Sequence, residues 1–421
     1  MEQEQKGISY QSKKYAKLET LINRVNEESL ENAHKEQGSR KATGVDGVTK
    51  AEYGENLEAN VRDLVERMKQ WKYKPQPVRR AYIPKGDGKK KRPLGIPAYE
   101  DKLVQRVMAE ILNEIYEERF LDCSHGFRPN KSAHDVVKYI DQTVMTKKVN
   151  YVLEADIKGF FDNVDHEWLM KFLEHDIADK NFLRYIKRFL IAGVMEGTEV
   201  KDSDKGTPQG GLISPVLANV YLHYVLDLWV EKKLKKECQG EIYYARYADD
   251  FILIFQYENE AKRAKTEMEA RLRNFGLETA EEKTRILPFG RYKGTKEDFD
   301  FLGFTFFNSK TKGGKYKTGV RTSKKKLIAK KQAVRAWIRL RVTQPLHVTL
   351  RTLRAKLQGH ANYYGVNGNY RKVHEFYEYV QERCFWMVNR RSQRRSMTWE
   401  VFRKIWNKYI SPPKLTVNIW R

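Results

Sequence analysis

The spacing of apolar and polar positions gives the chain two textures. Up to about residue 309, short strand-like runs alternate with amphipathic helices, whereas beyond it apolar residues recur at helical spacing inside long basic stretches. In order, residues 15–37 read as a polar helix stopped near Gly38, and residues 57–71 as a helix with Leu57, Val61, Leu64, Val65 and Met68 on one face. The basic loop GSRKATGVDG between them reads equally as a cover for a bound strand and as a surface linker. Residues 78–97 form two strand-like halves around Gly86-Asp87-Gly88. Residues 101–116 are an amphipathic helix, and residues 123–137 run from a Gly/Pro loop into a helix that Ser132 can cap. Residues 150–157 form a strand ending on Asp156, with Asp165 as the N-cap of a following helix. A Gly/Pro loop opens an apolar helix over 206–222, residues 242–255 form a hairpin, and a helix over 259–275 stops at Gly276. A strand over 299–307 follows, and the tail carries three helices, over 324–342, 350–364 and 370–389, which read as a small basic bundle.

Charge sharpens that division. The chain of 421 residues carries a formal net charge of +25, and from residue 310 onward there are 28 Lys and Arg against 4 Glu and no Asp. Basic residues at this density with interleaved aromatics are the electrostatic footprint of a polyanion binder, and nucleic acid suits them better than a membrane surface, because they are spread over several helices. No apolar run reaches the length of a membrane span, and the polar N-terminus lacks the apolar core of a secretory signal, so the expected location is the cytoplasm. Cys123, Cys238 and Cys384 are too dispersed for a zinc knuckle or a disulfide framework.

The candidate chemistry is acidic. Asp249 and Asp250 sit at the tip of an apolar, aromatic hairpin, YYARYADDFILIF. Adjacent carboxylates are ordinary turn residues, but buried side by side they call for a divalent cation shared with a phosphate. Asp156, delivered by its own apolar strand, is the third candidate, ahead of Asp162 and Asp165. Lys85 and Arg92 flank the 86–88 turn, where they could grip a triphosphate, although a solvated basic turn explains them as well. Gln209 lies in a loop whose glycines let backbone approach a ligand, and Phe160 and Phe161 are either core or a wall at a sugar. Arg128 and Lys131 are candidate template contacts, with His125 and His134 as structural hydrogen-bonders. Lys324, Lys325, Lys331, Arg335, Arg390 and Arg391 are candidate nucleic-acid contacts, and Trp399, Trp406 and Trp420 read as base-stacking surfaces or as core anchors.

Seven segments in this order, GVDG, RRAYIPKGDGKKKRPLGIP, SHGFRPNKSAHD, ADIKGFFDNVDH, GTPQGGLISPVLAN, RYADD and FLGF, resemble the fingers and palm of reverse transcriptases, closely those encoded by group II introns. GHANYYGV in the tail is similar to a Gly-aromatic helix of that family's thumb or maturase domain. The resemblance implies an α+β right-hand polymerase: an N-terminal extension and start of the fingers (1–77), fingers and palm (78–309), a helical thumb/maturase domain (310–395) and a short tail (396–421) that could be a remnant DNA-binding segment. It implies an RNA-directed DNA polymerase in which Asp156, Asp249 and Asp250 hold two Mg²⁺ ions about 3.5–4 Å apart, with Mn²⁺ as a substitute. Lys85 and Arg92 then hold the dNTP triphosphate, Phe161 gates the 2′ position, Gln209 lies near nucleotide and template, and Lys283 protonates pyrophosphate. The fingers turn is one residue longer than the family's usual form, which leaves Lys91 as the alternative to Arg92. Expected partners are an RNA template and primer, dNTPs, a structured intron RNA whose splicing it assists, and a DNA target. With no His/Cys-rich nuclease region before Arg421, cutting of the second target strand is not expected of it. The rival readings are a free-standing relative in phage defence or spacer acquisition, and a non-catalytic RNA-binding splicing factor.

Overall fold

A computed structural model describes residues 8–14, 17–84, 91–196, 199–201, 205–207, 210–391 and 396–420. Along the chain the strands are β1 (Val78–Pro84), β2 (Lys91–Ile96), β3 (Tyr151–Asp156), β4 (Val194–Glu196), β5 (Glu199–Lys201), β6 (Ile242–Tyr247), β7 (Asp250–Phe255), β8 (Arg285–Pro288), β9 (Asp298–Phe301), β10 (Phe304–Lys310) and β11 (Tyr316–Thr322). They form a fingers sheet ordered β2-β1-β4-β5, a palm sheet ordered β6-β7-β3-β8 and a third sheet ordered β11-β10-β9.

The palm shows why an unbroken apolar run can be a strand. In β7, Phe251, Leu253 and Phe255 face one core, shared with helices Ser214–Leu222 and Glu258–Asn274, while Ile252 and Ile254 face a second core, shared with helix Ala133–Thr146 and the third sheet. Successive side chains point to opposite faces, so a strand covered on both sides needs apolar residues throughout. β7 pairs antiparallel with both β6 and β3. That double pairing fixes the register of every acidic residue at its end.

Helices appear where the periodicity places them, and their caps follow the sequence. Asn26, Thr49 and Ser132 close capping boxes with Ser29, Glu52 and Asp135. Asp165 accepts from Trp168 N and starts helix His166–Asp176. The loop 38–47 is tied to the fingers: Arg79 donates to Thr43 O, Lys102 donates to Ala42 O at 2.7 Å, and Asp46 accepts from Tyr99 N at 2.6 Å. A Cβ on Gly44 would meet Pro97 O at 2.4 Å, so only glycine fits there.

Four expectations change. The single helix over 15–37 is instead a 3₁₀ turn (Ile22–Arg24) and a helix Glu27–Glu36, because the Asn26 capping box starts a new helix. The strand over 299–307 is the hairpin β9–β10, since Leu302 and Gly303 both take positive φ, the signature of a two-residue type I′ turn. A boundary at 310 falls inside the β10–β11 hairpin, and the helical tail begins only at Lys324. Its bundle of Lys324–Arg339, Leu346–Tyr364 and Tyr370–Asn389 has a fourth helix, Trp399–Tyr409, whose Phe402 and Trp406 complete the third core. The Gly-aromatic helix joins this bundle to the palm side: Tyr363 OH donates to Leu302 O at 2.8 Å, and Asn369 accepts from Thr322 N. Among the described residues, no helix is long and apolar enough to cross a membrane.

Candidate active site

The β3–β7 register sets Asp156 directly opposite Asp250, so their Cα atoms are about 4.5–5.5 Å apart. Asp249 occupies the β6–β7 turn next to them. Burial raises the Asp249 carboxyl above its ordinary range, with Asp156 adding to the shift and Arg92 and Lys283 opposing it. Asp250 is reached by water along the cleft, yet the protein crowded around its carboxyl, then Asp249 and Asp156, push it up to about 7. Three carboxylates are thus held where their negative charges oppose one another. Among the described residues, the Lys283 ammonium forms a salt bridge to Asp156, and that hydrogen bond raises the Lys283 pKa.

Among the described residues no three His, Cys, Asp or Glu side chains converge closely enough to hold a metal ion by themselves. Mg²⁺ at nucleotidyl-transfer sites does not require such a set, because it binds through one or two carboxylates together with substrate phosphates and water. Asp156 and Asp250, opposed at the mouth of an open cleft with the Asp250 carboxyl raised by burial and by its acidic neighbours, fit that mode.

The turn that carries Asp249 is strained and braced. Ala248 takes φ +57°, a conformation that costs a residue with a Cβ about 1–2 kcal/mol. Gly126 lies so close that a Cβ there would meet Ala248 N at 2.3 Å. Beneath the turn, the fully buried Arg246 spends all its donors: Nε and Nη2 on Asp227 at 2.8 and 2.6 Å, Nη1 on Asn219 Oδ1 at 2.9 Å and Ala248 O at 3.0 Å, and Nη2 also on Ser124 Oγ at 2.7 Å. Asn219 in turn donates to Gly126 O at 2.7 Å. Asp227 comes from a π-helical turn, His223–Asp227, in the helix after the Gly/Pro loop. The sequence reading missed this network, although its signal is present: one Arg in an apolar strand and one Asp in an apolar helix.

Asp156 and Asp250 open onto a cleft of about 1460 Å³ whose far wall is the first tail helix, with Lys324, Lys325, Lys326, Lys330 and Lys331. Lys331 is paired with Glu375 at 2.7 Å. Arg335 and Arg390 are exposed but outside this cleft, and Arg391 reaches the Arg341 carbonyl. Arg92 lies exposed on β2, opposite Ile83. Phe161 is half-buried in a short helix after β3, edge-on to Phe160 with ring centroids 5.4 Å apart. Thr207 N donates to Phe161 O at 2.7 Å, and a Cβ on Gly206 would meet that oxygen at 2.9 Å. The Gly/Pro loop therefore leans on the Phe161 helix at one end. At its other end Gly210, at φ +113°, packs against Gly95 of β2. Lys85 and Gln209 lie outside the described residues.

Arg128 needs correcting. Its side chain is buried, with a bidentate ion pair to Glu117 (2.8 and 3.0 Å) and further bonds to the Leu121 and Ser124 carbonyls, so four of its five N–H donors are spent holding a loop rather than facing a template. Lys131 is paired with Asp122 at 3.2 Å, on a different pocket from the carboxylates. His125 and His134 bond the Cys123 and Tyr363 carbonyls. Of the tryptophans, Trp406 is fully buried and donates to Tyr377 OH, Trp399 stacks on Phe385 at 3.8 Å, and Trp420 is 51 % exposed.

The family described as reverse transcriptase (RNA-dependent DNA polymerase) matches residues 83–306, more than half of the chain. Group II intron-encoded protein LtrA of Lactococcus lactis subsp. cremoris is 35 % identical over 266 residues, covering 58 % of this chain and 44 % of that protein. Protein YkfC of Escherichia coli is 33 % identical over 239 residues, 50 % of this chain and 62 % of its own. Nuclear intron maturase 2, mitochondrial, of Arabidopsis thaliana is 25 % identical over 237 residues, 47 % and 30 % respectively. The chain thus spans less than two thirds of the length of these relatives. With the family match running from β1 into β10, across fingers and palm, the chain belongs to the reverse transcriptase family.

Proposed function

We propose that this chain is an RNA-directed DNA polymerase that uses Asp156, Asp249 and Asp250 to hold two divalent ions, and that it binds a structured intron RNA whose splicing it assists. The observation that carries the reading is the register pairing of Asp156 with Asp250 at the mouth of a lysine-walled cleft. When bound, the ions activate a primer 3′-hydroxyl and neutralise charge on the leaving pyrophosphate.

The chain's own residues do the rest, and most of that is positioning. Arg92, whose charge already acts on Asp249, and Lys85 hold the triphosphate. Phe161 closes on the sugar where a 2′-hydroxyl would stand, and Gln209 meets nucleotide and template. Lys283 is bound to Asp156 in the free protein, and its ammonium would protonate the leaving pyrophosphate. Lys324, Lys325 and Lys331 face the phosphates of the primer–template duplex across the cleft. The intron role draws on LtrA and on the maturase among the relatives, similar to this chain over 58 % and 47 % of its length respectively.

The test is primer extension with an RNA template, a DNA primer, dNTPs and Mg²⁺. Full-length cDNA is expected; absence of any extension would overturn the polymerase reading. Crosslinking in the native cell tests the partner. A single long RNA surrounding this reading frame, in spliced and branched forms, is the expected product, whereas a short separate transcript or a varied RNA pool would replace the intron role with defence or acquisition.

A further inference from the structure

Between helix Ala133–Thr146 and the third sheet, and sharing no lining residue with the catalytic cleft, lies a second pocket of about 550 Å³. Its floor is the second half of helix Ala133–Thr146, with Asp141, Gln142, Met145 and Thr146, and its wall is the β10–β11 hairpin with Thr311 and Lys317, closed by Trp420. Asp141 is only 4 % exposed, and its Oδ1 has no hydrogen-bond partner among the described residues. A buried carboxyl left unbonded costs about 1–3 kcal/mol or more, so one that persists outside the polymerase centre calls for an explanation. Lys317 acts on it from a distance without an ion pair. Its ammonium lies instead 4.3 Å from the Trp420 ring centroid.

A carboxyl at the base of a pocket wants N–H donors, which a basic peptide or a nucleobase could bring. The rim decides between them. Lys310, Lys312 and Lys315 are exposed on the hairpin, and Lys147 and Lys148 at the end of the helix, so a cationic partner is repelled while a phosphate backbone is attracted. Among the RNA bases, guanine alone offers two adjacent N–H donors, N1–H and the 2-amino group, to the two oxygens of one carboxylate. Trp420, half open to solvent, supplies the aromatic surface that unstacked bases lie against.

We propose that this pocket receives a single guanine of single-stranded RNA, its Watson–Crick edge on the Asp141 carboxylate and its ring against Trp420. The site rests on the RNA-binding half of the reading above and not on polymerase activity. It would give a basic protein a point of sequence preference on the RNA it carries.

The test uses the full chain and three fluorescent pentamers, UUGUU, UUIUU with inosine lacking the 2-amino group, and UUAUU, with binding followed by anisotropy at fixed salt. The G pentamer is expected to bind about tenfold or more tighter than the A pentamer, with inosine between them. Asp141→Asn removes one acceptor and should abolish the preference, while melting close to wild type, because the carboxyl it replaces has no hydrogen bond to lose among the described residues. Trp420→Ala, at an exposed site, should lower affinity for the G pentamer about tenfold. Primer extension on the same preparations is expected to be unchanged in both variants; its failure in the wild type would count against the polymerase reading alone. Equal binding of the three pentamers by the wild type, or a G preference surviving Asp141→Asn, overturns the site.

Discussion

Replacing Arg246 with Met removes a fully buried guanidinium that makes five hydrogen bonds. Asp227 would keep the Tyr244 hydroxyl at 2.9 Å but lose its counter-charge, and stranding one partner of a buried ion pair costs about 3–5 kcal/mol, against a whole-domain stability of about 5–15 kcal/mol. Arg246→Met should therefore lower the melting temperature markedly. A triple variant, Arg246→Met with Asp227→Leu and Tyr244→Phe, leaves neither ion nor orphaned phenol and should recover the ion-pair part of that loss, though not the bonds to Asn219, Ser124 and Ala248. Activity should not return with stability. The Ala248 carbonyl loses a charged donor worth about 1.5–3 kcal/mol, which offsets the strain of its positive φ, so Asp249 relaxes away from Asp156. A displacement of about 1 Å at a reacting centre costs about 100-fold in rate. The assay is thermal unfolding alongside single-turnover primer extension at saturating RNA. A triple variant that is stable and extends primers at the wild-type rate would refute the claim that this network positions the turn.

Further outcomes follow from the same geometry. Phe161→Ala should raise ribonucleotide incorporation relative to dNTPs, measured by competitive extension, and unchanged discrimination removes Phe161 as the gate. Lys324→Ala with Lys325→Ala should weaken primer–template binding and reduce the salt slope by about one per lost phosphate contact, whereas Arg128→Ala should lower the melting temperature and leave that slope alone. Asp101 is buried beneath Tyr73 and pushed up to about 7, so between about pH 4 and pH 7 the unfolded chain has lost a proton that the folded chain keeps. Stability should fall as pH rises through that window, and Asp101→Asn should flatten the fall in a melting-temperature series; an unchanged slope removes Asp101 as its source.

What could be read from the sequence was whatever depends on neighbours along the chain. Asp156 stood out because an apolar strand leads into it, and the hairpin arms around Asp249 were marked by their own unbroken apolar runs. Caps at Ser132 and Asp165 need only three residues of context and fell where they were expected. Arg128 misled because its loop, GFRPN, looks exposed, while its partner Glu117 sits eleven residues upstream in another helix. The Leu302-Gly303 turn was hidden in an aromatic run with a single glycine to mark it. Arg246 and Asp227 become a pair only when β6 packs on the helix after the Gly/Pro loop, a contact set by tertiary packing.

The central claim is that Asp156 and Asp249 share one catalytic centre, and single-turnover extension of a DNA primer on an RNA template, with Asp156→Asn and Asp249→Asn each compared with wild type, tests it most directly. The account predicts Mg²⁺-dependent cDNA from the wild type, loss of at least about 1,000-fold in either variant, and equal RNA affinity for all three. Extension that persists in either variant, or RNA binding that disappears together with synthesis, would contradict it.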